Sequence, residues 1–206
     1  MPQASIQEFE HLPLRVHTFL VDVPLHDVWF VDLPRWRAGV TLEYFLRTTS
    51  NGKSGICGCF ESWSLFTLSP LVRILLNFRF FVGRLLGWDR EPPATKWNTF
   101  ATRLSDADHS RSLVAAGTRD GLFRALYRFE NEHLLELINR TAHAAALSTL
   151  IETTTGYRFY LAVYVQSVSR FTPFYMSLID PFRKLIVYPS LMRSVRARWN
   201  HAFGTG

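Results

Sequence analysis

The chain has 206 residues, 48% of them hydrophobic, which is enough apolar material for one sizeable domain and excludes disorder along its whole length. Seventeen Phe, six Trp and seven Tyr are many for this length, and such rings either enlarge a core or line a cavity for an apolar ligand. The net charge of +6 rests on twenty Arg against three Lys, and no basic run alternates with aromatics, so nucleic acid is not an expected partner.

The first residues, MPQASIQEFEHLPLRV, lack the basic start and apolar stretch of a secretory signal, so the expected location is cytoplasmic, with residues 1–15 and 201–206 flexible. Val16 to Val23 is apolar, alternates in part and stops at Pro24, which predicts a first strand. Leu42, Phe45 and Leu46 lie at helical spacing after Val40 and predict a short helix. The Gly-rich segment 50–60 is then expected to be a loop. Its Cys57 and Cys59 are too few and too close for a disulfide framework or a zinc site. Gly52-Lys53-Ser54 lacks the upstream glycine of a phosphate-binding loop, the position being Arg47.

Residues 65–87 are long enough to span a bilayer but contain Arg73, Arg79 and Arg84. Each Arg near a helix centre costs about 2.5–3.5 kcal/mol, so the prediction is a buried or interfacial helix and no transmembrane span; peripheral membrane contact remains open. Ser69 and Pro70 would start this helix and Gly87 would end it. Arg79 alone of its cations points among apolar neighbours, and it either pairs with a strand carboxylate such as Glu136 or anchors a polar group on a ligand.

Residues 88–121 are polar and irregular, and Asp106, Asp108 and His109 read as capping or solvated loop residues. From Leu122 the period changes to two. Phe123, Ala125, Tyr127 and Phe129 share one face of a strand, with Arg124, Arg128 and Glu130 on the other. The stretch 133–141 does not declare its inner face, and His133 reads as an exposed turn residue. In the next strand Ala145, Leu147, Thr149 and Ile151 point inward, and after the turn at Thr155-Gly156 so do Tyr157, Phe159, Leu161, Val163 and Val165. Connections this short require antiparallel pairing. A long amphipathic helix should follow from about Thr172 to Trp199, bent or split by Pro181 and Pro189. No linker or internal repeat divides the chain, which predicts a single domain over 1–206.

Two stretches, LVRILLNFRFFVGRLLGW and GYRFYLAVYVQSVSRFTPFYMSLIDPFRKLIVYPSLMR, carry a resemblance. They are similar to the START-like and polyketide-cyclase-like helix-grip superfamily (SRPBCC), and within it to a bacterial family known as a domain of unknown function. The resemblance implies an α+β helix-grip fold: a curved antiparallel sheet wrapped around a long C-terminal helix, with two short helices after the first strand. Two features depart from it, Arg183 where a His is expected after Pro-Phe, and the Gly/Cys insertion at 50–60.

The implied function is binding of a small hydrophobic molecule, such as a lipid, polyketide or terpenoid, between sheet and helix, lined by Arg79, Phe123, Tyr127, Phe129, Leu147, Phe159, Leu161, Val163, Tyr175, Leu178 and Phe182. Two alternatives stand beside it. One is a cofactor-free cyclase, dehydratase or pericyclase that works by holding its substrate in a reactive conformation, and the other is an interfacial protein that docks residues 65–87 on a membrane or partner. No cofactor, metal or catalytic residue is assigned.

Overall fold

The computed structural model describes residues 6–49, 98–120, 123–138, 143–167, 177 and 180–204. Two short helices, α1 (Ile6–Glu10) and α2 (Arg15–Phe19), precede strand β1 (Leu25–Pro34), which leads into α3 (Leu42–Thr49). A 3-10 turn (Phe100–Arg103) and α4 (Asp106–Arg111) are followed by β2 (Arg119–Asp120), β3 (Phe123–Arg128), β4 (Glu132–Ile138), β5 (His143–Glu152) and β6 (Gly156–Gln166). The chain ends in a π-helical turn (Arg183–Val187) continuous with α5 (Tyr188–Phe203). The strands form one curved, open antiparallel sheet in the order β1-β6-β5-β4-β3-β2, which makes the fold α+β.

The first strand lies later than the apolar run 16–23 predicts. Val16, Phe19, Leu20 and Val23 are buried, but they belong to α2 and the segment after it, which lie on the sheet rather than in it. Pro24 is therefore the entry to β1 and not its end: its carbonyl accepts from the Val165 N–H, and β1 runs along β6 to Pro34. Ser105 begins α4 with a capping box closed by Asp108, in agreement with a capping role for that carboxylate.

Both faces of the sheet are covered. Registration of β6 against β5 puts Tyr160, Ala162 and Tyr164 opposite Thr149, Leu147 and Ala145, on the face covered by α1, α2 and the turn at Phe100. Tyr157, Phe159 and Leu161 fall on the opposite face, where α3 and α5 pack. The alternation of β3 is interrupted between Ala125 and Tyr127, where Leu126 is an extra residue relative to β4. Ala125 therefore pairs with Leu135 and faces α5, while Tyr127 pairs with Leu134 and faces α2. The predicted single face Phe123–Ala125–Tyr127–Phe129 is thus split, and Arg128, expected outside, is 3% exposed.

Helix α5 buries Leu191, Met192, Val195 and Trp199. Their spacing gives the apolar stripe of an amphipathic helix, and the stripe lies on β1. The Trp199 indole is held at the far end by Phe45 and Tyr157 and donates its N–H to the Pro34 carbonyl at 2.9 Å. Pro189 cannot donate to the carbonyl one turn earlier, and the widened π turn sits where that ladder is interrupted. The prolines therefore alter the helix without breaking it between Asp180 and Phe203.

Candidate functional site

The predicted ligand-lining residues that the structure describes fall on both faces of the sheet. Tyr127, Phe129 and Leu147 belong to the cluster under α1 and α2, whereas Phe159 and Leu161 belong to the cluster under α5, with Val163 against it. The sheet separates the two sets. Phe123 is half-buried near the β2 edge, and Phe182, expected inside, is 50% exposed. Arg79, Tyr175 and Leu178 lie outside the described residues.

On the face toward α5 two cross-strand rows can be read from the pairing. One runs Trp29–Leu161–Ser148–His133–Arg128 and the next runs Asp27–Val163–Ala146–Leu135–Ala125. Before Leu150, strand β5 contributes Ala144, Ala146 and Ser148 to this face, so along the two rows its floor is low between the larger side chains of β6 and β4. Polar groups are buried at both ends of the rows.

At the β1 end Asp27 is fully buried. One of its oxygens, Oδ2, accepts from Arg183 Nη2 and from the Tyr188 hydroxyl, the latter at 3.2 Å. Arg183 also donates to Asp180 at 2.8 Å, and Lys184 does so at 3.0 Å while standing 3.9 Å from Asp27 Oδ1. His26, Asp27 and Asp180 could bring three ligand atoms within 4.8 Å of one another. Arg183 and Lys184 already neutralise those carboxylates, so the donor set suits an ion-pair clamp on β1 better than a metal cation. Arg183, at the position where the resemblance leads one to expect a His, is thus half of that clamp. Tyr188 stacks on Trp29 at 5.2 Å between centroids, and burial pushes its phenol well above the ordinary value.

At the β4 end His133 is 1% exposed, the second residue of a strand rather than part of a turn. Arg128 lies between two carboxylates, 3.7 Å from Glu43 and 3.9 Å from Asp120, and Asp120 is 4.0 Å from His133 Nε2. Glu43 is placed by α3, whose first turn is tied to the β3–β4 connection through Asn131 and Glu130. Burial, and then the Arg128 charge, hold His133 well below its ordinary pKa, so the imidazole is neutral.

Buried polar atoms without a hydrogen bond mark the same face. Among the described residues, and leaving arginines aside, they are Asp27 Oδ1, Trp29 Nε1, Glu43 Oε2, both ring nitrogens of His133 and the Tyr164 hydroxyl. All but Tyr164 are on the side of α5. An unmade bond of this kind costs about 1–3 kcal/mol, so a group of them calls for an explanation beyond packing.

The opposite face satisfies its buried charges. Glu136, which the sequence offers as a partner for Arg79, accepts from Thr99, from the Phe100 N–H at 2.6 Å and from His143 at 2.8 Å. The His143 ring stacks on Phe100 at 3.8 Å. Glu132 accepts from the Arg15 N–H at 2.9 Å and the Tyr127 hydroxyl at 3.2 Å.

Asp27 was legible in principle. Alternation places it with Trp29, Val31 and Leu33, so it is a charge on an apolar face, the feature that singles out Arg79. Arg128 stands, as alternation gives it, on the face opposite Tyr127 and Phe129; what alternation does not reveal is that α3 covers that face as well.

Among the described residues no helix is long and apolar enough to cross a membrane. Neither the curated proteins nor the solved structures contain a match to this chain. Residues 19–190 do match a protein family, described as "Protein of unknown function (DUF2867)", and on the strength of that long match the chain belongs to it.

Proposed function

We propose that the protein is a single helix-grip domain that binds a small, largely apolar molecule on the α5-facing side of its sheet. The observation that supports this reading is the gathering, on that one face, of buried polar atoms that make no hydrogen bond among the described residues, at the two ends of a strip of small residues. Area burial on Leu161 and Val163 would supply affinity, and Trp29 Nε1, Asp27 Oδ1 and the His133 ring would orient the few polar atoms of the ligand. Arg79, placed by its sequence pattern alone, would add a cation for an acidic group on the same molecule.

A second reading, a cofactor-free catalyst, draws on the neutral state of His133. A neutral imidazole whose proton affinity is this low abstracts protons poorly, so such an enzyme would act by hydrogen bonding and by holding its substrate's conformation.

The test is organic extraction and mass analysis of the purified protein, beside a variant, Ala146→Phe, that fills the strip. The reading predicts one compound in near-stoichiometric amount, absent from a variant that remains folded. If the two preparations give the same extract, the ligand reading fails.

A further inference from the structure

The face of the sheet away from α5 carries an opening with a chemistry of its own. The segment from Leu20 to Leu25, which joins α2 to β1, frames with Glu10, His17 and Tyr164 an open groove of about 450 Å³. Tyr164 is 4% exposed, and its hydroxyl is the buried polar atom on this side that makes no hydrogen bond among the described residues. The walls are Leu20, Val21, Val23 and Leu25.

The charges around the groove do not balance. Asp22 is neutralised by a two-pronged bond to Arg103, at 2.5 and 3.0 Å. His17 is engaged through Nε2 with the Phe9 carbonyl at 3.1 Å. Glu10 makes no ion pair among the described residues, and neither does Glu132, whose contacts are a backbone N–H and a phenol. Both glutamates stand near Tyr164: after burial, which is the larger cause, they push its phenol upward, so it stays protonated and can accept through its oxygen. Glu10 is thus a lining carboxylate with no ion pair among the described residues, on a chain whose net charge is +6.

We infer that this groove is a binding site for a protonated organic amine with a hydrocarbon body. The ammonium group would donate to the Tyr164 oxygen and lie in the field of Glu10, while the body rests on Leu20, Val23 and Leu25. A neutral isostere keeps the apolar contact and loses the charge; an anion is repelled. The site lies across the sheet from the one under α5 and stands or falls independently of it.

The experiment is a titration of the full chain, followed by NMR, with 2-phenylethylammonium chloride and in parallel with 2-phenylethanol. The amine is expected to saturate with a Kd at or below about 1 mM, and the alcohol to bind at least about tenfold more weakly, the size of one charge-assisted hydrogen bond. Tyr164→Phe and Glu10→Gln should each weaken the amine several-fold at unchanged melting temperature. Val21→Lys, at an 83% exposed position, should abolish binding by placing a cation at the rim. Equal affinity for amine and alcohol, or amine binding indifferent to Tyr164→Phe and Val21→Lys, would overturn the assignment. So would the absence of saturation by the amine up to about 20 mM.

Discussion

The two faces of this sheet are built from the same strands and differ in how they treat buried polar groups. Under α1 and α2 every buried carboxylate that the sheet contributes is met: Glu136 by three donors, Glu132 by a backbone N–H and a phenol. Under α3 and α5, Asp27, Trp29, Glu43 and His133 each keep an atom without a hydrogen bond among the described residues. Satisfied polar groups fix a unique packing arrangement, whereas unsatisfied ones are tolerated where something other than stability is selected. The carboxylates of the first face therefore read as scaffold, with the groove at Tyr164 set apart from them, and the proposed apolar ligand is assigned to the second.

The contrast can be broken by substitution, and the largest effect belongs to the scaffold face. Glu136→Leu leaves His143, Thr99 and the Phe100 N–H without their acceptor, and should lower the unfolding free energy in urea by about 3–5 kcal/mol. Met192→Ala comes next. This side chain is fully buried between α5 and the sheet, and its truncation should cost roughly 3 kcal/mol in the same assay. A loss well under 1 kcal/mol would mean that the helix does not pack here as described.

A smaller, pH-dependent effect belongs to Asp108, whose carboxylate accepts from Arg15 at 2.8 Å through both oxygens and so ties α4 to α2. The Arg15 hydrogen bonds hold it well below the usual carboxylate range. A depressed folded-state pKa contributes stability that is fully present above the unfolded value, near 4, and is lost as pH falls through the folded value. Acid unfolding below about pH 4 should accordingly be less steep in Asp108→Asn than in the parent chain; equal slopes would remove Asp108 from the scaffold.

Much of the sheet was legible because β5 and β6 carry a clear period of two and are joined by only three residues, Thr153 to Thr155, which leaves antiparallel pairing as the one arrangement available. The inner-facing Ala145, Leu147 and Thr149 are buried as their alternation requires. What alternation cannot report is a sheet covered on both sides. The polar Arg158 and Gln166 at the ends of β6 suggested a solvated face, yet Tyr160, Ala162 and Tyr164 between them are buried. Val16–Val23 misled for a related reason, since a short apolar run lying on a sheet and one lying within it have the same composition. His133 reads as a turn residue from sequence, but the turn ends at Asn131 and β4 begins at Glu132. The gathering of polar groups across four strands and α3 depends on register, which the bulge at Leu126 shifts, and no local pattern in the sequence carries that information.

The most direct test of the contrast is the stability of His133→Leu, measured in urea at pH 7 and at pH 5 beside the parent chain. A buried imidazole with neither nitrogen hydrogen-bonded contributes little, so the account predicts a change within about 1 kcal/mol at pH 7 and a fold left intact. His133 is held below its ordinary pKa, with Arg128 and Asp120 facing it, so the unfolded chain takes up a proton as pH falls below about 6.5 and the folded one does not. The parent should therefore lose ground to the variant between pH 7 and pH 5. A loss of 3 kcal/mol or more at pH 7, comparable to about what Glu136→Leu costs, would show that His133 is scaffold too and would contradict the division between the faces.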